Sequence, residues 1–225
     1  MQERYIRNIP ALSEEECALL QSKKIAIVGC GGLGGHLTEL MARIGCRELV
    51  LIDGDVFETT NLNRQLYSEP SCLDCKKALM ASDRVNRINP DVHVTCHDVF
   101  LTAENADALI AGCDAVLDGL DSISARKQLK QACRKAGIPY IFGAISGWVV
   151  QTAISLPDDD LIERLYPENT QIRDKSALSF TAAFCAAMQT SLCTKLLTGR
   201  AVETGTVFYF DLLNQEYEVI PIVSR

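Results

Sequence analysis

A glycine-rich run, Gly29-Cys30-Gly31-Gly32-Leu33-Gly34, lies between a short apolar segment and a segment with helical periodicity. Glycines at such a junction let the backbone turn tightly and approach a phosphate. The helix that follows offers unpaired N–H groups and the positive end of its dipole. Asp53 comes 19 residues after Gly34, at the end of the next apolar segment, where a carboxylate can bond ribose hydroxyls. These residues predict a nucleotide site, without separating NAD from ATP.

The charges that follow separate the two. Asp55, Asn61, Arg64 and Gln65, then Lys77 and Asp121, all fall at or beyond the carboxyl ends of predicted strands, where open α/β sheets bind ligands. Hydride transfer has no need of an arginine and a lysine aimed at one phosphate region. Two cations and a carboxylate suit phosphoryl or nucleotidyl transfer, the cations stabilising phosphate oxygens and the carboxylate holding Mg²⁺. Taken singly, Arg64 and Lys77 are ordinary solvated charges; the grouping carries the reading.

The elements that must position these residues are visible in the apolar pattern. Buried strands are expected at 24–29, 48–53, 92–100, 114–118, 139–145 and 149–156. Between the earlier ones come helical segments, including a helix from Gly34 closed by Gly45, and helices at 76–88, 103–111 and 122–136. Strands alternating with helices predict an α/β fold: a Rossmann-like, doubly wound, mostly parallel sheet. Residues 1–22 form an N-terminal arm and a short helix, with Ser13 and Glu16 as a capping box. Residues 157–175 are polar and aperiodic and read as a long crossover loop, before a small-residue-rich helix at 176–198. An antiparallel hairpin at 206–223 closes the chain around Asn214-Gln215. No linker divides the sequence, so residues 1–225 are expected to form a single unit. Trp148 is expected to pack in the core as aromatic residues usually do.

Composition narrows the function classes. A net charge of −7 argues against a nucleic-acid surface, which needs clustered Lys and Arg. No apolar run reaches the length of a membrane span, and the first residues lack the apolar stretch of a signal peptide. The ten cysteines lie in helix-like and strand-like segments, which points to reduced thiols and a cytoplasmic location.

Read together, the motifs resemble the ThiF/MoeB/HesA family, bacterial relatives of ubiquitin-activating enzymes, over nearly the whole chain. Arg4-Tyr5-Ile6-Arg7 resembles the family's opening, with Asn8 in place of glutamine. Gly29-x-Gly31-Gly32-x-Gly34, Asp53-x-Asp55 and Asn61-Leu62-x-Arg64-Gln65 match its motifs directly. Lys77 falls at the family lysine, although Asp74-Cys75-Lys76 replaces the customary glycine and proline. Leu117-Asp118-Gly119-Leu120-Asp121 with Arg126 is similar to a further segment, with Ser122 where asparagine is usual. The resemblance implies an ATP-dependent adenylyltransferase acting on a small ubiquitin-like sulfur-carrier protein ending in Gly-Gly. It implies that the glycine loop, Asp53 and Asp55 hold the nucleotide and that Asn61 and Gln65 orient its phosphates. Arg64 and Lys77 would stabilise transition-state charge, and Asp121 would ligate Mg²⁺. Arg7 would reach the neighbouring subunit's site in a homodimer.

Two departures shape the expectation. Zinc-binding relatives carry two Cys-x-x-Cys pairs; here Cys72-Leu73-Asp74-Cys75 stands alone and upstream of the usual places, so no zinc site is expected. Relatives that form a covalent adduct use a cysteine in the crossover loop, and residues 157–175 contain none. Other readings are a tRNA-modifying dehydratase of the same family, activating a small carboxylate, or a non-catalytic carrier-binding subunit. Elemental analysis of purified protein is expected to find no stoichiometric zinc; about one zinc per chain would mean that a four-ligand site is assembled from other side chains.

Overall fold

The computed structural model describes residues 2–171 and 174–222. Eight strands form one sheet: β1 (Lys24–Val28), β2 (Glu48–Ile52), β3 (His93–His97), β4 (Ala115–Asp118), β5 (Tyr140–Ser146), β6 (Val149–Ser155), β7 (Thr206–Asp211) and β8 (Glu216–Pro221). Their spatial order is β3-β2-β1-β4-β5-β6-β7-β8. The first five are parallel to one another, and β6, β7 and β8 join in antiparallel pairings. The order runs outward from β1 to β3 and then restarts at β4, which leaves a crevice at the carboxyl ends of β1 and β4.

Because alternate side chains of a strand point to opposite faces, a strand covered on both sides must be apolar throughout. In β1, Ile25 and Ile27 pack with α2 (Gly32–Ile44), α3 (Lys77–Ile88) and α7 (Ser179–Leu197) through Leu37, Met41, Ala78, Val85 and Cys193. Ala26 and Val28 pack on the other face with α4 (Ala106–Leu109), α5 (Ile123–Ala136) and α6 (Leu161–Leu165) through Ala106, Leu129, Cys133 and Leu161. Each fully buried Leu, Ile or Met contributes about 1.5–3 kcal/mol by leaving water.

At the start of the chain, α1 (Glu14–Gln21) begins with the expected capping box, Ser13 accepting from the Glu16 amide and Glu16 accepting from the Ser13 amide. Before it lies a 3₁₀ turn, Glu3–Asn8, that periodicity did not reveal. Tyr5 anchors this turn: its ring is buried against Gly45 and its hydroxyl accepts from Asn89 Nδ2 at 2.7 Å. The strand expected at 92–100 ends at His97, and the helix expected at 103–111 shrinks to α4. Asn105 closes a turn there instead, accepting from the Thr102 amide at 2.8 Å. Trp148 departs from expectation. It is 42% exposed, at the tight turn between β5 and β6, with its ring 4.9 Å from Phe180.

The glycine loop is locked to its neighbours by close backbone approach. Gly29 has φ +91°, and a Cβ there would stand 2.5 Å from the Gly119 carbonyl oxygen. A Cβ on Gly34, in the first turn of α2, would stand 1.7 Å from the Gly29 oxygen. Gly34→Ala is therefore expected to destabilise the fold by at least about 2 kcal/mol, as overpacking against rigid backbone does. The measurement is a urea midpoint at unchanged slope; a midpoint equal to the parent's would mean that α2 shifts freely away from the loop.

Candidate active site

The crevice at the switch point is a cleft of about 550 Å³ that gathers Gly29, Gly31, Gly32, Asp53, Asp55, Arg64, Gln65, Lys77 and Asp121 from five separate stretches of chain. Strand ends deliver most of them. Gly29 follows β1, Asp53 and Asp55 follow β2, and Asp121 lies between β4 and α5. Lys77 opens α3, and Arg64 and Gln65 follow a 3₁₀ turn at Thr59–Asn61.

Asp53 organises the floor. Its Oδ2 accepts from the Cys30 amide at 2.6 Å and its Oδ1 from the Asp55 amide at 2.8 Å. One carboxylate thus ties the glycine loop to the next turn and retains lone pairs for a ligand. Asp55 Oδ2 lies 2.5 Å from Lys77 Nζ, and the Lys77 amide donates to the Asp55 carbonyl at 3.0 Å. Partial burial pushes the Asp55 carboxyl up, but bonds from Lys77 and the Val56 amide outweigh it and hold it below the usual carboxylate range. The Lys77 side chain is only 7% exposed, so its charge is felt with little screening.

Arg64 donates through Nη1 to the Thr60 carbonyl at 2.9 Å and to Asn63 Oδ1 at 2.8 Å. Its stem passes 3.8–3.9 Å from where a Cβ on Gly32 would be. Gln65 is buried with its amide 3.4 Å from a Cβ built on Gly31, and its Oε1 has no hydrogen-bond partner. A buried, unpartnered carbonyl oxygen beside a bare glycine loop fits a ligand that donates a hydrogen bond to it. Lys175, at the end of the crossover segment, adds a further cation that sequence reasoning missed. Its stretch is stitched beside the cleft by Gly147 N–H to the Ser176 carbonyl at 2.9 Å and Asn63 Nδ2 to the Ala177 carbonyl at 3.1 Å.

Asn61, Gly34 and Arg7 stand elsewhere. Asn61 is buried and closes its own turn, its Oδ1 accepting from the Glu58 amide at 3.0 Å and its carbonyl from the Arg64 and Gln65 amides. It presents those two side chains and does not itself line the cleft. Gly34 lies behind the loop, where it admits the Gly29 carbonyl. Arg7 is exposed on the N-terminal turn. That turn is anchored at Gly45 and Asn89, which precede β2 and β3, at the end of the strands opposite the cleft. Among the described residues, no group of three or more His, Cys, Asp or Glu is placed to hold a metal ion.

Beneath the Asp121 loop lies a charged pair that the motif contained but whose work the sequence did not reveal. Arg126, 4% exposed, lies 3.2 Å from Asp118, itself fully buried. Its Nη1 donates to the Tyr166 hydroxyl at 2.7 Å; its Nη2 donates to the Leu120 carbonyl at 2.6 Å and the Gly143 carbonyl at 2.9 Å. The guanidinium also faces the rings of Phe142 and Tyr166, with centroids at 5.3 and 5.7 Å. Asp118 accepts from the Tyr140 hydroxyl at 2.6 Å and the Leu120 amide at 2.8 Å. Burial pushes the Asp118 carboxyl up, against the pull of Arg126 and those two donors.

The model described as the ThiF family matches residues 3–225. The SAMP-activating enzyme E1 of Haloferax volcanii is 30% identical over 229 residues, covering 97% of this chain and 84% of the relative. The tRNA threonylcarbamoyladenosine dehydratase of Haemophilus influenzae is 35% identical over 146 residues, 64% of this chain and 56% of the relative. The crystal structure of E. coli MccB with ATP superposes at a TM-score of 0.83 with 18% identity, covering all of this chain and 73% of the other; at that identity the likeness concerns the fold.

Arg126→Met is expected to cost about 3–5 kcal/mol, because it leaves Asp118 buried without its countercharge. Burial then acts on the carboxyl with the Tyr140 hydroxyl and the Leu120 amide still opposing it, and its folded-state pKa stays raised. Stability is present below the ordinary carboxylate pKa and is lost as the pH rises through the folded value. Urea midpoints for the variant should fall between about pH 4 and pH 7 relative to the parent, and adding Asp118→Asn should flatten that dependence. An equal loss at both pH values would mean that Asp118 is not the group left unpaired.

Proposed function

Because the chain belongs to the ThiF family, we propose that it is an ATP-dependent adenylyltransferase activating the C-terminal carboxylate of a small ubiquitin-like sulfur-carrier protein ending in Gly-Gly. The observation that carries this reading is the convergence of Arg64, Lys77, Gln65 and Asp121 on one side-chain-free glycine loop in a single cleft. The cleft's volume is that of a small-molecule site. Its cations suit a triphosphate better than a nicotinamide.

In this reading the bare loop at Gly31 and Gly32 receives the phosphates on backbone N–H groups, and Asp53 takes the ribose. A carrier carboxylate oxygen attacks the α-phosphorus. The bond from that phosphorus to the bridging oxygen breaks, and pyrophosphate leaves. Arg64 and Lys77 stabilise the charge that builds on the phosphate oxygens, and Gln65 orients them. Asp121 is the cleft carboxylate that would hold a Mg²⁺ ion, which when bound would supply positive charge against the leaving pyrophosphate. Positioning and electrostatics suffice, so no protein nucleophile is required. Cys30 is no candidate: burial pushes its thiol well up, away from the reactive thiolate.

The second reading, a dehydratase acting on tRNA, has support in the Haemophilus relative's name. A net charge of −7 favours the carrier protein over RNA. A non-catalytic subunit would have no need of Arg64, Lys77 and Asp121 in one cleft. Free cysteines throughout suit a reduced, cytoplasmic setting. Among the described residues no helix is long and apolar enough to cross a membrane.

Asp121→Asn and Lys77→Ala are each expected to lower pyrophosphate exchange by about 10²–10³-fold with the fold retained. Parent-like exchange in either variant would remove that residue from the mechanism. Intact-mass detection of AMP on a Gly-Gly carrier, against none on tRNA, tests the substrate.

Arg7 extends the proposal to a homodimer. Its anchor lies at the far end of the strands from its own cleft, so any phosphate it serves belongs to another subunit, where a bidentate cation supplied in trans is effective. Arg7→Ala and Lys77→Ala should each be inactive. Mixing them should restore one working site per mixed dimer. A mixture that stays inactive despite verified subunit exchange would show that Arg7 is not supplied in trans.

A further inference from the structure

Cys72 and Cys75 occupy the first and fourth positions of a type II β-turn. Leu73 has φ −59° and ψ 141°, Asp74 is left-handed at φ +63°, and the Cys75 amide donates to the Cys72 carbonyl at 3.1 Å. The ends of a β-turn lie within about 7 Å between Cα atoms, and disulfides span Cα separations of about 4.4–6.8 Å. The turn is also held in place. The Asp74 amide donates to the Phe57 carbonyl at 2.9 Å, and the Phe57 amide donates to the Cys75 carbonyl at 3.0 Å. Two thiols are thus kept within bridging range by backbone that does not depend on them.

Their environments differ in the way a reacting pair needs. Cys75 is half-buried, whereas Cys72 is 6% exposed, its Sγ 3.5 Å from Glu69 Oε1. Burial and the neighbouring Glu69 push the Cys72 thiol up. Of the other eight cysteines, seven are buried, and burial pushes up the thiol of the eighth, Cys96. Access and geometry together single out Cys75 as the entry thiol and Cys72 as its resolving partner.

We propose that Cys72 and Cys75 form a redox-active dithiol that low-molecular-weight disulfides close into an intramolecular disulfide two residues before Lys77. The Cys75 thiolate attacks one sulfur of the small disulfide. Its S–S bond breaks, a mixed disulfide forms, and the first small thiolate leaves and takes up a proton. The Cys72 sulfur then attacks the Cys75 sulfur and gives its proton to the Glu69 carboxylate. As the new S–S bond forms, the bond from the Cys75 sulfur to the small thiol's sulfur breaks, and the second small thiolate leaves and takes up the proton from Glu69. Two protein thiols are oxidised and one small disulfide is reduced to two thiols. The site stands apart from the adenylation reading, and its test uses no activity.

The test incubates the folded full chain with oxidised glutathione and follows intact mass and peptide maps. The parent should lose two hydrogens with no lasting adduct, and the map should join Cys72 to Cys75. Cys72→Ser should stop at the mixed disulfide, carrying one glutathione on Cys75. Cys75→Ser should stay unmodified while circular dichroism remains native. A parent that keeps a glutathione adduct, does not react, or maps its disulfide to another pair would overturn the proposal. So would Cys75→Ser reacting as fast as the parent; the parent's own peptide map decides even if a variant fails to fold.

Discussion

The arrangement rests on a buried ion pair, Asp118 with Arg126, at the carboxyl end of the strand where the sheet's order restarts. Two charges taken out of water are tolerated when further hydrogen bonds satisfy most of their remaining donors and acceptors; Arg126 Nε, with the ion-pair contact to Asp118 alone, is the exception here. Here Asp118 receives a tyrosine hydroxyl and a backbone amide, while Arg126 spends its fork on two carbonyls and a second tyrosine. The partners come from β4, the following loop, β5 and the crossover segment. The pair therefore sets where the Asp121 loop leaves the sheet. It also ties Tyr166, in a polar and aperiodic stretch, to the loop that bears the cleft's carboxylate. Gln189 of α7 braces the same corner from the opposite layer, donating to the Asp118 and Ile141 carbonyls; it fits because Gly143 offers no side chain.

A second constraint is closeness. Gly29, Gly34 and Gly119 bring three backbone segments nearer than any side chain allows, so the loop after β1 and the loop after β4 meet edge to edge. A ligand at this crevice meets backbone N–H groups in place of side chains, and the cations reach it from the rim. The same economy explains Asp53. With both oxygens engaged by loop amides, it acts first as a brace for the site and only through its spare lone pairs as a ligand group.

Much of this was legible in the sequence because it rests on local rules. Strand and helix periodicity located every strand and most helices; Ser13 with Glu16 and the left-handed Gly45 and Gly137 marked helix ends. What local pattern could not show was pairing over distance. Nothing about Arg126 in sequence announces Asp118, Tyr166 and Gly143 as its partners, and the N-terminal turn exists because Tyr5 meets Asn89, far along the chain. Asn61 looked like a ligand residue because it sits in a polar motif, yet its amide is spent closing a turn. Trp148 looked like core because it is aromatic, but a tight turn at Gly147, φ +55°, carries it outward.

The rim charges also bear on how such a cleft would work. Lys77 is nearly buried and already paired with Asp55, so a phosphate must compete with a carboxylate for it. On the adenylation reading that competition would weaken ground-state binding, and it would fade as negative charge accumulates on the phosphate oxygens. An interaction that grows along the reaction lowers the barrier more than one that is equal throughout. Arg64 is held differently, by a carbonyl and a neutral amide, so it pays no electrostatic penalty to turn toward a phosphate. On the adenylation reading, the two cations divide the labour: Arg64 serves binding and charge throughout, and Lys77 is released toward the transition state. Exchanging them would not be neutral, because an arginine in the Lys77 site would bring a planar fork to a pocket shaped around a single ammonium.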